Sequence, residues 1–200
     1  MKTIFLKLSI LIASTIITFS CSKSDDSPPA PVAPVVYSEE NFLDGYLTSS
    51  NFIQATANNI NAGDYEFGSE FTPLVKGKIT TLKVKLPDVR TNLRVTIWDK
   101  MAGTAIRTET INVAAANTVT VVDIIDLDLI KDKEYAITMN SNDWYDRRKT
   151  DGTSITYPIT AGNIKINSYK WVSGTVSIYP TNLASNYYAG DLSFNFQRTE

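Results

Sequence analysis

The sequence predicts an all-β chain: an antiparallel β-sandwich of the jelly-roll kind, with one short helix ahead of it. Three observations carry this expectation. From Tyr65 onward, apolar residues recur with a period of two: Leu82, Val84 and Leu86 alternate with Lys83 and Lys85, and Leu93, Val95 and Ile97 with Arg94 and Thr96. Such alternation sets one face of a strand in a core and the other in water. The runs are separated by short turn-forming stretches, among them Val75-Lys76-Gly77, Pro87-Asp88 and Met101-Ala102-Gly103. Tyr, Thr, Ile, Val and Asn are plentiful, a composition that suits strands and turns better than helices.

The chain begins with an address. Lys2 and Lys7 flank the start and an apolar run follows from Leu8 to Phe19. The run is shorter than the ~20 residues a helix needs to cross a bilayer. Residues 1–20 therefore read as a signal peptide. The junction Ser20-Cys21 resembles the lipobox of Bacteroidetes-type surface lipoproteins, and the following Ser-Lys-Ser-Asp-Asp resembles the acidic export tag of their surface-exposed members. That resemblance implies lipidation at Cys21, export, and an outer-membrane anchor facing the cell exterior. Cys21 is the only cysteine, so no intrachain disulfide competes for it. Two or more acyl chains anchor stably where one does not, since each buried CH₂ contributes ~0.8 kcal/mol.

Residues 21–36 are rich in Ser, Asp and Pro and read as a disordered, extended tether. A single domain is expected over residues 37–200. A short helix is expected from Ser38 to Leu47, with Ser38 as N-cap, Glu39 and Glu40 in the first turn, and Phe42, Leu43, Tyr46 and Leu47 on one face. Strands then follow at Leu82–Leu86, Leu93–Ile97, Ile106–Val113, Thr118–Ile125, Tyr135–Met139, Ile155–Ile159, Ile164–Val172 and Leu192–Gln197. Asp151-Gly152 marks a hairpin. Its incoming arm, Trp144 to Lys149, is polar on both faces and is expected to project or to bind something.

Composition narrows the chemistry. There is no histidine, which removes Ser-His-Asp and Cys-His catalysis and His-ligated metals. Removing a leader that contains Lys2 and Lys7 leaves 17 basic against 21 acidic residues, a net charge of −4. A mildly acidic chain without a basic run argues against nucleic acid as partner.

An ordered series of segments resembles a β-sandwich domain of unknown function found in bacterial extracellular and cell-wall proteins. The segments are Glu66 to Pro73, Gly77-Lys78-Ile79-Thr80-Thr81-Leu82, Val95-Thr96-Ile97-Trp98-Asp99, the stretch Leu127, Leu129 and Lys133-Glu134-Tyr135, and Tyr187 to Leu192. The resemblance covers about Asp64 to Phe196 and contains no catalytic motif. It implies a jelly-roll-like module similar to carbohydrate-binding modules. The hairpin around Asp151 lies outside the pattern.

The candidate ligand-binding residues are Trp144, Tyr145, Arg147, Asp143, Trp171 and Trp98. Aromatic faces accept the C–H face of a sugar ring, while Asp, Asn and Arg bond to its hydroxyls. The competing explanation is that aromatics fill sandwich cores. Trp98 has the parity opposite to Leu93, Val95 and Ile97, which places it on the other face of its strand. Arg147-Arg148-Lys149 suits an acidic glycan or a solvated flank. Asn140 to Asp143, Asp146 and Asp151 form an oxygen-rich stretch that suits calcium or ordinary turns. No pair of carboxylates stands out for hydrolysis. The expectation is a non-catalytic surface protein that binds glycan or mediates adhesion, with no cofactor. A structural subunit of a surface assembly is the alternative, and a small carboxylate hydrolase a more distant one.

Overall fold

A computed structural model describes residues 35–200. The signal segment, the lipidation expected at Cys21 and the tether up to Pro34 lie outside the described residues. The elements run β1 (Glu39–Asn41), α1 (Phe42–Ser50), β2 (Ala55–Asn59), β3 (Tyr65–Pro73), β4 (Gly77–Lys85) and β5 (Arg90–Asp99). Then come β6 (Thr104–Val113), β7 (Val119–Leu129), β8 (Tyr135–Ser141) and β9 (Trp144–Arg148). The chain ends with β10 (Ile159–Ala161), β11 (Ile164–Ser173), β12 (Asn182–Ala184), β13 (Tyr188–Ala189) and β14 (Asp191–Arg198).

Every strand pairing is antiparallel. The large sheet has the order β10-β11-β3-β8-β5-β6, with β12 also pairing with β11. A four-stranded sheet has the order β1-β14-β4-β7, and a small third sheet the order β13-β9-β2. One apolar core joins Phe71, Val95, Ile97, Ile137 and Met139 of the large sheet to Leu82, Val84, Phe194 and Phe196 of the four-stranded sheet. Phe194 sits at its centre, 4.6 Å from Phe42 and 4.9 Å from Phe71, ring centre to ring centre. The all-β sandwich is thus the observed architecture, and Leu82, Val84 and Leu93, Val95, Ile97 point inward as their alternation requires.

The helix differs in register from the sequence expectation. Residues Glu39 to Asn41 pair with β14, so their backbone is extended and Ser38 cannot cap. Asn41 caps instead, its Oδ1 accepting the Leu43 N–H at 3.1 Å. Gly45, an apparent weakness in a helix, is needed for packing: a Cβ there would lie 2.8 Å from Cβ of Ala161 on β10.

The expected hairpin is only a turn. Gly152 N–H donates to the Lys149 carbonyl at 3.1 Å, but β9 pairs with β2 and β13 and not with a returning arm. The stretch expected as the strand Ile155–Ile159 leaves the sheet: Ile155 N–H donates to Ser185 O at 2.7 Å, and β10 begins only at Ile159. β1, β10, β12 and β13 are too short to show an alternation of their own, and β2, Ala-Thr-Ala-Asn-Asn, has no large apolar residue to mark one.

The outer face of the large sheet is covered over β3, β8 and β5, while β6 leaves Thr108 and Thr110 in solvent. Glu66, Glu70, Thr96, Trp98 and Thr138 all lie there and all are buried. Residues 174–181 run across them. Arg94 Nη1 holds Thr175 O at 3.0 Å, Asn140 Nδ2 holds Gly174 O at 2.9 Å, and Tyr179 OH donates to Glu70 at 2.6 Å. Glu70 also accepts from Ser168 Oγ at 2.6 Å and pairs with Lys170 at 2.8 Å.

Phe194→Ala empties the centre of the core and should lower unfolding free energy by about 3–5 kcal/mol, read by urea denaturation; a cost below ~1 kcal/mol would contradict the packing. Burial alone would raise the Glu70 carboxyl, but hydrogen bonds from Lys170, Ser168 and Tyr179 prevail and hold it below its ordinary value. A depressed folded value means its stabilisation is complete above the unfolded carboxyl value of ~4.3 and is lost as pH falls through the folded value. Glu70→Gln should therefore be less stable at pH 7 and lose less further stability between pH 5 and pH 2 than the unaltered chain. Parallel losses in that window would exclude Glu70 as a source of acid sensitivity.

Candidate functional site

β9 is an extended strand, so its neighbours point to opposite sides. Trp144, Asp146 and Arg148 face one way and line a cavity of about 250 Å³. The facing wall comes from the large sheet. Tyr65 and Phe67 alternate inward on β3, and Tyr169 and Trp171 alternate inward on β11, with Trp171 directly opposite Phe67 in register. Asn59 of β2 sits opposite Trp144, and Tyr187 and Ala189 complete the lining.

The walls are mostly aromatic and interlocked. Tyr65 meets Trp144 edge-to-face at 5.3 Å and Trp171 at 5.8 Å. Phe67 meets Trp144 at 5.7 Å, and Tyr169 meets Tyr187 at 5.7 Å. Phe67 and Tyr169 are buried, whereas Tyr65, Trp144, Trp171 and Tyr187 keep part of their surface in solvent. At the same cavity Arg148 forks onto Asp146, Nε to Oδ1 at 2.9 Å and Nη2 to Oδ2 at 2.6 Å. Its guanidinium lies 5.4 Å from the Tyr187 ring centre, within cation–π range. The hydrogen bonds to Asp146 raise the Arg148 pKa further above its ordinary value. Burial, then the nearby Asp146 charge, raises the Tyr187 hydroxyl.

The opposite face of β9 is structural. Tyr145 is 5% exposed, and its hydroxyl donates to Asn117 Oδ1 at 2.5 Å, with Leu86 O 3.4 Å away. Arg147 forks onto Asp191, with Nε and Nη2 each 2.5 Å from a carboxylate oxygen. The intervening Gly190 has φ +83°, and a Cβ there would lie 2.3 Å from Phe67 Cε2. Glycine is what lets the chain pass behind the cavity wall.

Of the six residues expected to bind ligand, Trp144 and Trp171 meet in the cavity, 27 positions apart in sequence, and four lie elsewhere. Tyr145 and Arg147 have the wrong parity on β9. Asp143 is buried, its Oδ1 accepting the Asn61 N–H at 2.7 Å and its backbone bonded both ways to Ser141 Oγ, so it braces a loop. Trp98 is 4% exposed; its Nε1 donates to Thr138 Oγ1 at 2.8 Å and its ring abuts Tyr179. Trp98 lies on the outer face of β5, as its parity requires, but there Tyr179 covers it. Arg148, expected only within the basic Arg147-Arg148-Lys149 run, and Asp146, expected only within the oxygen-rich stretch, stand outside the six although they share Trp144's parity. Tyr65, Tyr187 and Asn59 carried no local signal, because only long-range pairing brings them to Trp144.

The oxygen-rich stretch does not converge: Asp146 is held by Arg148, and Asp151 accepts from its own turn at Thr153. Among the described residues, no three His, Cys, Asp or Glu side chains form a group fit for a metal ion. Asp146 is the single carboxylate lining the aromatic cavity, whereas glycoside hydrolysis by paired acids uses two across ~5–9.5 Å. What the cavity offers is aromatic surface beside one donor–acceptor fork.

No protein-family model, no curated protein and no solved structure matches this chain.

The two arginines of β9 should differ sharply. Arg147 and Asp191 are 18% and 6% exposed in their side chains, whereas Arg148 is 50% exposed. Arg147→Ala strands a buried carboxylate and should cost about 3 kcal/mol of stability. Arg148→Ala should cost under about 1 kcal/mol. Equal costs in urea titrations at one pH would refute the division of labour between the two faces.

Proposed function

We propose that this chain is a non-catalytic binding protein that holds a sugar ring in the Trp144–Trp171 cavity and is displayed on the outer surface of the cell by lipid on Cys21. The observation that carries the binding reading is the convergence of two part-exposed indoles, two part-exposed phenol rings and the Asp146–Arg148 fork on one concavity. Aromatic faces stack on the C–H face of a pyranose, and the fork supplies directional bonds to hydroxyls. At about 250 Å³ the cavity falls just short of the ~300–1,000 Å³ of drug-sized pockets, which suits a single ring at a chain end or a side branch. The surface location rests on the Lys2 to Phe19 leader, the Ser20-Cys21 junction and the acidic stretch behind it.

A second reading, adhesion through protein, is favoured by β7. This long edge strand pairs on one side only, with β4. It exposes Val119, Val121 and Ile125, the last at 83%. An open apolar edge can accept a strand from a partner.

A glycan array followed by titration of the purified protein tests the first reading. Trp144→Ala and Trp171→Ala should each weaken binding about tenfold or more, a loss of ~1.4 kcal/mol per tenfold. Trp98→Phe should leave affinity unchanged. Full binding by both cavity variants would refute the site. Absence of binding to every glycan, with capture of a surface protein that is lost on Val121→Lys, would transfer the function to the β7 edge.

A further inference from the structure

We propose that the cavity selects an uncharged sugar ring, and that the closed ion pair between Asp146 and Arg148 sets this selectivity. The inference rests on the sugar-binding reading above and specifies its ligand.

The formally charged groups in the lining are one acid and one base, Asp146 and Arg148. They lie two residues apart on the same face of β9 and are joined by two hydrogen bonds. The pair cancels its charge but does not exhaust its bonding. Arginine carries five N–H donors, of which two are engaged, so about three remain; an ionised carboxylate has roughly four lone-pair sites, of which about two remain. Donors and acceptors thus stand side by side next to aromatic walls. A hydroxyl, which both donates and accepts, can use both kinds at once. A carboxylate brings acceptors only: it would gain from Arg148 but would be set against Asp146. An ammonium brings donors only and would be set against Arg148.

The surroundings do not break this balance. Of the next charged groups, Arg147 and Asp191 are paired with each other, and Lys149, which follows Arg148 but does not line the cavity, turns its ammonium to Thr153 Oγ1 and Ser154 O of its own turn. The tyrosine beside the fork does not supply an anion, since burial and Asp146 both raise the Tyr187 hydroxyl. A partly desolvated site with no net charge penalises an ionic ligand twice, through the hydration it gives up and through the like charge it meets. Aromatic boxes also bind quaternary ammonium ligands. Here Arg148 already lies over Tyr187, 5.4 Å from its ring centre, so the cation position is filled by the chain itself.

The experiment uses the purified protein and three matched sets of glycans at pH 7: chains ending in a neutral hexose or N-acetylhexosamine, the same chains ending in the corresponding uronic acid, and the same chains ending in the free amino sugar. Tetramethylammonium is a fourth probe. Tryptophan fluorescence and calorimetry give the affinities. The expected result is that at least one neutral-ended chain binds tenfold or more tighter than its uronic and amino counterparts, with no effect of tetramethylammonium. Asp146→Asn should then improve the uronic-to-neutral affinity ratio by at least tenfold, and Arg148→Gln should improve the amino-to-neutral ratio likewise. Thermal melts establish that the variants are folded, and the ratio for the unaltered protein stands without them. A uronic or amino chain binding as tightly as its neutral counterpart, or competition by tetramethylammonium, would overturn the inference and leave the sugar site in place. Variant ratios that do not move would overturn the role of the ion pair. Failure of all three glycan sets would remove the sugar-binding reading itself, and the inference with it.

Discussion

The fork between Arg147 and Asp191 decides where β9 can sit. Asp191 is the first residue of β14, which is paired with β4 in the four-stranded sheet. Arg147 lies on β9 of the small sheet. Two 2.5 Å bonds therefore fasten one sheet to the other, and the Tyr145 hydroxyl adds a second bolt at Asn117 and Leu86. Both partners are largely removed from water, so a single loss strands a charge. With one face of β9 pinned in this way, the other has to hang over the inner face of the large sheet. Trp144, Asp146 and Arg148 become a cavity wall as a consequence.

The cavity is a continuation of the core under a different roof. Along the inward side of β3, Phe71 lies beneath Phe194 of the four-stranded sheet, Phe67 beneath Trp144 of the small sheet, and Tyr65 between Trp144 and Trp171. The same alternation supplies all three. Where the roof is a close-packed sheet, the aromatic is buried. Where the roof is the small sheet, Phe67 is still buried, but Tyr65, Trp144 and Trp171 keep part of their rings in solvent. The polar fork stands at this boundary, where its charges can be neutralised by each other and still keep some solvent.

Trp98 and β9 mark how far the sequence could be read. Trp98 was placed on the correct face of β5 by parity alone. Its burial depends on Tyr179, which anchors to Glu70 from 109 positions away, and no local pattern announces that cover. In β9, parity was available and separates Trp144, Asp146 and Arg148 from Tyr145 and Arg147. Adjacent residues of this strand fall on different faces, so Trp144 lines the cavity while its neighbour Tyr145 packs against Asn117 and Leu86. The polarity of this strand on both faces was a true signal with two causes: one face carries a fork toward the cavity and the other a fork toward Asp191.

By itself the sequence determined the all-β class, the turn positions, the inward rows of β4 and β5, and the face of β5 on which Trp98 lies. These follow from the two-residue repeat of extended backbone, which is a local property. Only the tertiary structure decided which outward faces are open, which strand β9 pairs with, and which aromatics share a cavity. Those outcomes depend on covers contributed from distant segments: residues 174–181 over the outer face, β2 opposite Trp144, and β14 at Arg147. Alternation states which way a side chain points, and packing states what it meets there.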